Sequence, residues 1–281
     1  MMAGDAATSP IRRNPPSQSA AARWLNLLSF AAPFIFGIAF LAVWEIYCRV
    51  DNVPPYLLPT PINIIGTLFT DFVLLLPNLL VTVTITIEAF LVAAVVGLLL
   101  GMLLTSARWI ERSLFPYAVI MQVTPIVAIA PLIIIWTKQD TSLALLICAW
   151  LVAFFPVVSN AAVGLNSTDR NLVDLFKLYG ANKVQSMLLL RLPSAMPYYL
   201  AGLRIAGGLA LIGAVVAEFV AGTGGAKSGL AYRILETGYR LEIPRMFAAL
   251  VMISLTGIAI FFVLSLFSRF MLRHWHESAQ R

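Results

Sequence analysis

Residues 78–104 form an apolar run whose only charged side chain is Glu88. A hydrocarbon core about 30 Å thick is crossed by about 20 helical residues. Inside it every backbone N–H and C=O must find a partner within the protein, so a run of this length permits a helix and little else. The pattern recurs along the chain. Runs at about 24–47, 78–104, 117–136, 142–164, 200–220 and 246–267 predict six spans, and with them an all-α, polytopic membrane protein. With 60% hydrophobic and 11% charged residues, the chain has no polar, turn-rich stretch to supply a separate soluble domain. Arg12, Arg13 and Arg23 ahead of the first run imitate a secretory signal. That run exceeds a signal's apolar region of about 7–15 residues and lacks a small-x-small cleavage site, so it reads as an uncleaved span. Residues 1–23 show no periodicity and predict a disordered tail, and 273–281 a second short tail, on either side of a membrane domain over 24–272.

One charged stretch, residues 169–197, interrupts the apolar pattern. Leu172, Leu175, Phe176 and Tyr179 stand at i, i+3, i+4 and i+7, one apolar stripe with Asp169, Arg170, Asp174 and Lys177 largely off it. Gly180 is placed to end that helix in a left-handed conformation. Asn182 can cap a second short helix carrying Val184, Met187, Leu188 and Arg191, which Leu192-Pro193 is expected to close. A helix of twelve residues spans about 18 Å, too short to cross a bilayer, so this element is expected to lie on the membrane or against another protein.

Asp174 six positions before Gly180, the spacing from Gly180 to Leu192-Pro193, and the following Pro197, Tyr199 and Gly202-Leu203-Arg204 resemble the cytoplasmic coupling loop of ABC importer permeases, in particular the nitrate/sulfonate/bicarbonate-type branch. The likeness continues through Pro125-Ile-Val-Ala-Ile-Ala-Pro131-Leu132, Phe155-Pro156-Val157, Leu203-Arg204-Ile205-Ala206 and Ala217-Glu218, covering roughly residues 57–266. Where that family tends to show Glu-Ala-Ala, this chain has Asp174-Leu175-Phe176, keeping the acid but not the small residues. The resemblance implies a type I importer permease, a non-catalytic transport subunit of the inner membrane acting as a homodimer. It further implies two ABC ATPase subunits carrying ATP and Mg, an extracytoplasmic solute-binding protein, and a small anion or small polar organic solute as cargo. On this reading residues 168–193 are the coupling region, with Asp174, Leu175, Phe176, Tyr179, Gly180, Arg191, Leu192 and Pro193 meeting the ATPase.

Between the spans, Pro54-Pro55 through Pro59-Thr60-Pro61 must be extended, and Thr60 with Pro61 then starts a short helix with an apolar face. Thr82, Thr84 and Thr86 alternate like a strand, but the unbroken length decides for helix. Gly97 and Gly101 lie one helical turn apart, a signal of close packing. Arg108, Glu111 and Arg112 read as a polar loop before the third span, whose Pro125 and Pro131 each remove an intrahelical hydrogen bond. The fifth span is dense in glycine and alanine and should pack centrally. After it, 222–245 reads as an outer loop with helical character around 230–239. Six spans with both termini in the cytoplasm put twelve Lys and Arg residues on the side of the coupling region. Arg49, Lys138, Lys227, Arg233, Arg240 and Arg245 fall on the other, the bias that orients membrane proteins. Bases scattered between apolar runs in this way do not suggest nucleic acid.

Little in the chain suggests chemistry. Residues 221–228, AGTGGAKS, have the spacing of a phosphate-binding loop, but alanines replace both framing glycines and no strand precedes them, so they read as a glycine-rich bend. His274 and His276 are two apart and would point to different faces of a helix. Cys48 and Cys148 have no paired spacing, and no metal or cofactor site is expected. Glu88 and Glu218 are costly within a bilayer and should face protein or a wet cavity. With Arg204, Pro125 and Pro131 they are the candidates for a translocation path or its gate, while structural helix-to-helix bonding explains the charged ones equally well. If Glu88 and Glu218 act as relay carboxylates, the chain is instead an ion- or proton-coupled secondary transporter. A membrane enzyme lacks the clustered acid, base or metal it needs.

Overall fold

The computed structural model describes residues 20–138, 140–221 and 228–273. Of the tails expected at 1–23 and 273–281, residues 1–19 and 274–281 with both histidines lie outside the described residues, as do residues 222–227 of the glycine-rich bend, whereas 20–23 are not a tail but the first turn of a helix. Among those described there is no strand. The chain divides into two units, Met1–Val53 and Pro54–Arg281. The first carries α1 (Ala20–Val50), an apolar helix bearing the ion pair Arg49–Glu45 at 2.6 Å.

The second unit holds the rest of the fold. Thr60 caps α2 (Pro61–Thr70) by accepting from the Asn63 N–H, with Pro61 at the first helical position. The long helix α3 (Phe72–Ser106) follows, starting earlier than the apolar run suggests because Pro77 falls in its early turns and the helix passes through it. Arg108 and Glu111, expected in a loop, instead open α4 (Arg108–Val123). Then come α5 (Ile126–Trp136) and α6 (Thr141–Asn166). The charged stretch folds as α7 (Arg170–Leu178), α8 (Lys183–Ser186) and a π turn (Met187–Arg191), and runs on into α9 (Leu192–Ala221). Finally α10 (Leu230–Tyr239) and α11 (Ile243–Leu272) close the chain.

Among the described residues five helices are long and apolar enough to cross a membrane, and α4 with α5 forms a broken sixth candidate, bent by 101°. The bend falls where local chemistry requires it. Thr124 precedes a proline and is pushed out of the helical region to ψ 123, and Pro125 follows it in extended conformation. Pro131, by contrast, lies inside α5 and does not break it.

The centre is a three-helix contact of α3, α6 and α9. Small residues make it possible: Ala89 and Ala93 of α3, Ala153 and Ala161 of α6, and Ala206 and Ala210 of α9 are fully buried. A Cβ on Gly97 would stand 2.7 Å from the Cβ of Val157, and one on Gly101 would stand 2.7 Å from that of Ala161. The glycine pair is therefore the seam along which α3 meets α6. Cys48 and Cys148 are buried and in no disulfide.

The expectation that Leu192-Pro193 ends a helix is corrected. Pro193 has no N–H to give to a carbonyl one turn back, which ordinarily breaks a helix. Here the preceding turn widens to a π turn, Leu192 N–H reaches Met187 O, and Ser194 Oγ donates to Leu190 O at 2.8 Å. The wider turn accommodates the proline without ending the helix, and the helical rod runs from Lys183 into the centre of the fold.

Candidate coupling and gating sites

Two ends of the second unit carry the polar chemistry, and they are built differently. At the α7 end, Asp169 caps α7 by accepting from Asn171 N–H at 2.8 Å. Gly180 takes φ +73, and Ala181 N–H bonds Phe176 O while Gly180 N–H bonds Lys177 O. This doubly bonded termination needs a left-handed residue, which costs a side-chain-bearing residue about 1–2 kcal/mol. Asn182 and Gln185 then form a reciprocal capping box, both bonds 2.8 Å. Both helices are thus fixed by their own sequence.

No other helix packs along α7, and none of its residues is buried. Its sides differ in what they meet. Val173, Phe176 and Lys177 turn toward the end of α3 and the π turn. Leu175, Leu178 and Tyr179 point away, the last two 86% and 84% exposed. Phe176 therefore leaves the outward stripe that periodicity assigns it, and Leu178 joins that surface. Asp174 is exposed and ion-paired with Lys177 at 2.7 Å. Behind α7 lie two cavities that share Ser106, Val173, Lys177 and Arg191 as a wall. One, of about 560 Å³, is polar, with Arg108, Glu111, Arg170 and Asp174 in its lining. The other, of about 600 Å³, is mostly apolar.

At the α10 end the bonds join distant parts of the chain. Glu218 is fully buried, and its Oε2 accepts from Ala231 N–H at 2.9 Å. Thr82 Oγ1 accepts from Leu230 N–H at 2.8 Å. Side chains of α9 and α3 thereby cap the start of α10, whose own cap position, Gly229, has no side chain to offer. Asn78 Nδ2 donates to Ser228 O at 2.5 Å and to Ser228 Oγ at 3.0 Å, while Arg233 Nε donates to Asn78 Oδ1 at 3.1 Å. A Cβ on Gly229 would sit 2.0 Å from the Glu218 carboxylate, so only glycine leaves room for it. Nearby, Arg245 bridges Asp71 at 2.5 Å and Glu242, tying α11 to the start of α3.

Sequence reasoning missed Asn78, Thr82, Ser228 and Arg233. The signal was the spacing of Asn78, Thr82 and Thr86 by four, one polar helical line in an apolar run, all three buried. The alternation of Thr82, Thr84 and Thr86 masked it.

The remaining candidates are dispersed. Glu88, expected to face protein or a wet cavity, is exposed on the side of α3 away from the helix core and has no ion pair among the described residues. It is not joined to Glu218, and Arg204 is half-buried on α9, its Nε buried without a partner. Pro125 stands at the α4–α5 bend, beside a cavity of about 310 Å³ that Gln122, Thr124, Leu151, Pro156 and Leu209 help to line. Among the described residues no cluster of His, Cys, Asp and Glu could hold a metal.

Comparison with known proteins accounts for this architecture. A probable ABC transporter permease protein of Haemophilus influenzae is 32% identical over 82% of this chain and 92% of its own length. The formylaminopyrimidine transport permease protein ThiX of Halalkalibacterium halodurans is 35% identical over 80% of this chain and 88% of its own. A chain of the MetNI methionine ABC transporter, in an inward-facing conformation, superposes with a TM-score of 0.62 at 19% identity, over 70% of this chain and 96% of that one. That likeness shows the fold. The family model of binding-protein-dependent transport system inner membrane components matches residues 93–275, from the middle of α3 past the end of α11. The chain is a multi-pass membrane transport subunit, not an enzyme, and belongs to the family of inner-membrane permeases of binding-protein-dependent ABC importers.

Proposed function

We propose that this chain forms, as a homodimer, the membrane pathway of an ATP-driven importer, with α7 in the cytoplasm and α10 on the opposite side. Two ABC ATPase subunits, holding ATP and Mg, seat the exposed face of α7. A solute-binding protein delivers cargo at the α10 end. The observation that carries this is α7 itself, a short helix locked by caps at both ends with none of its residues fully buried, and with Leu175, Leu178 and Tyr179 turned outward. An apolar surface of this kind fits a groove on a partner. Because α8, the π turn and α9 follow one another without a break, movement of this region is transmitted to the helix at the centre of the fold. Asp174, Gly180 and Arg191 act here as positioning residues. Leu192 and Pro193 act as the joint between the coupling region and α9.

The solute passes beside the α4–α5 bend, where Thr124 and Ile126 line a cavity, since irregular backbone at membrane depth is tolerated where it lines one. The likeness to a formylaminopyrimidine permease supports a small polar heterocycle, or a small anion of similar size, as cargo. The test is ATP turnover of the transporter reconstituted with its cognate ATPase. Gly180→Val forces a branched residue to φ +73 and is expected to abolish the stimulation of turnover by the loaded binding protein. Full stimulation in that variant, with the complex still assembled, contradicts the assignment.

A further inference from the structure

The apolar cavity behind α7 is unlike the rest of that end. One wall is the last turn and a half of α3, with Met102 and Leu103, and the other is the start of the helical rod, with Val184, Met187 and Leu188. Both walls belong to the ends of helices long and apolar enough to cross a membrane, so the cavity opens beside the end of two candidate spans. Leu99 and Leu103 are exposed one turn apart on α3, a stripe leading from the hydrocarbon region to the cavity mouth.

Its polar lining is one-sided. Lys177, Lys183 and Arg191 contribute cations, Ser106, Asn182 and Ser186 contribute donors, and no carboxylate lines it. Lys177 is engaged by Asp174 outside the cavity, whereas Lys183 and Arg191 make no ion pair among the described residues. A cavity of about 600 Å³, apolar toward the bilayer and cationic toward the aqueous rim, matches a molecule with the reverse arrangement.

We propose that this cleft binds one anionic phospholipid of the adjacent leaflet, its acyl chain against Leu99, Leu103 and Leu188 and its phosphate held by Lys183 and Arg191. Basic pockets between membrane helices recognise acidic headgroups in this way, and each Lys or Arg near the surface adds to the attraction. An occupied cleft adds an apolar surface behind the half-buried Phe176 and Val173 and so braces α7. The inference stands on the membrane-spanning fold and does not require an ATPase on α7.

Native mass spectrometry of the assembled transporter, delipidated and then titrated with phosphatidylglycerol or phosphatidylcholine, tests it. The expected result is a phosphatidylglycerol adduct favoured over phosphatidylcholine by about tenfold or more. Lys183→Ala combined with Arg191→Ala should remove that preference. Leu188→Trp, which fills the cleft without changing charge, should remove the adduct itself, while Arg112→Ala, outside this cleft, should leave it. Equal retention of the two lipids, an adduct indifferent to both cleft variants, or cross-links showing an ATPase subunit filling the cleft in place of lipid overturns the proposal.

Discussion

The α10 end and the α7 end solve the same problem, how to hold a short helix at the edge of a membrane bundle, in opposite ways. At the α10 end the helix has no cap of its own, and side chains from α3 and α9, about 150 and 13 residues away in sequence, reach in to supply it. At the α7 end every hydrogen bond that shapes the helices is local, and nothing packs along α7. A helix capped by its tertiary neighbours can move only with them. One capped by its own sequence keeps its shape wherever it is pushed, which is what a moving contact requires.

Breaking the tertiary end should produce the largest effect. Gly229→Ala drives a Cβ into the Glu218 carboxylate and displaces the cap, with an expected loss of about 2–4 kcal/mol, read as a fall in the thermal unfolding midpoint of the purified chain. Arg245→Ala removes both ties from α11, to Asp71 and to Glu242, and should cost about 2 kcal/mol in the same assay. Leu178→Glu at the opposite end should leave the midpoint within about 0.5 kcal/mol of the parent while sharply reducing binding of the ATPase in co-purification. Smallest of all, Asp174→Ala breaks an exposed i,i+3 pair and should cost no more than about 0.3–0.5 kcal/mol of stability. If Leu178→Glu unfolds the chain as readily as Gly229→Ala, the two ends do not differ as described.

The same contrast explains what could be read from the residues alone. Local grammar was legible: Thr60-Pro61 starting α2, Gly180 ending α7 and Asn182 capping α8 all depend on neighbours within a few positions. The apolar runs likewise gave the spans, because bilayer thickness sets their length. What could not be read depends on residues meeting across the fold. The Thr82–Leu230 and Glu218–Ala231 caps join separate helices, and no spacing rule links those positions. Pro193 misled because a π turn absorbs it. Phe176 misled because an ideal stripe does not say which edge another element will claim. For Glu88 the cost of a charge in a bilayer asks for protein or a wet cavity, and in the single chain it is exposed.

The central claim is that α7 is a ready-made helix whose outward face receives a partner from the cytoplasm. Labelling of Leu178→Cys with a membrane-impermeant maleimide tests it most directly, since Cys48 and Cys148 are buried. In inside-out vesicles position 178 should label rapidly without the ATPase and be protected when the ATPase is present. Labelling only from the outside of intact cells, or equal labelling with and without the ATPase, contradicts it.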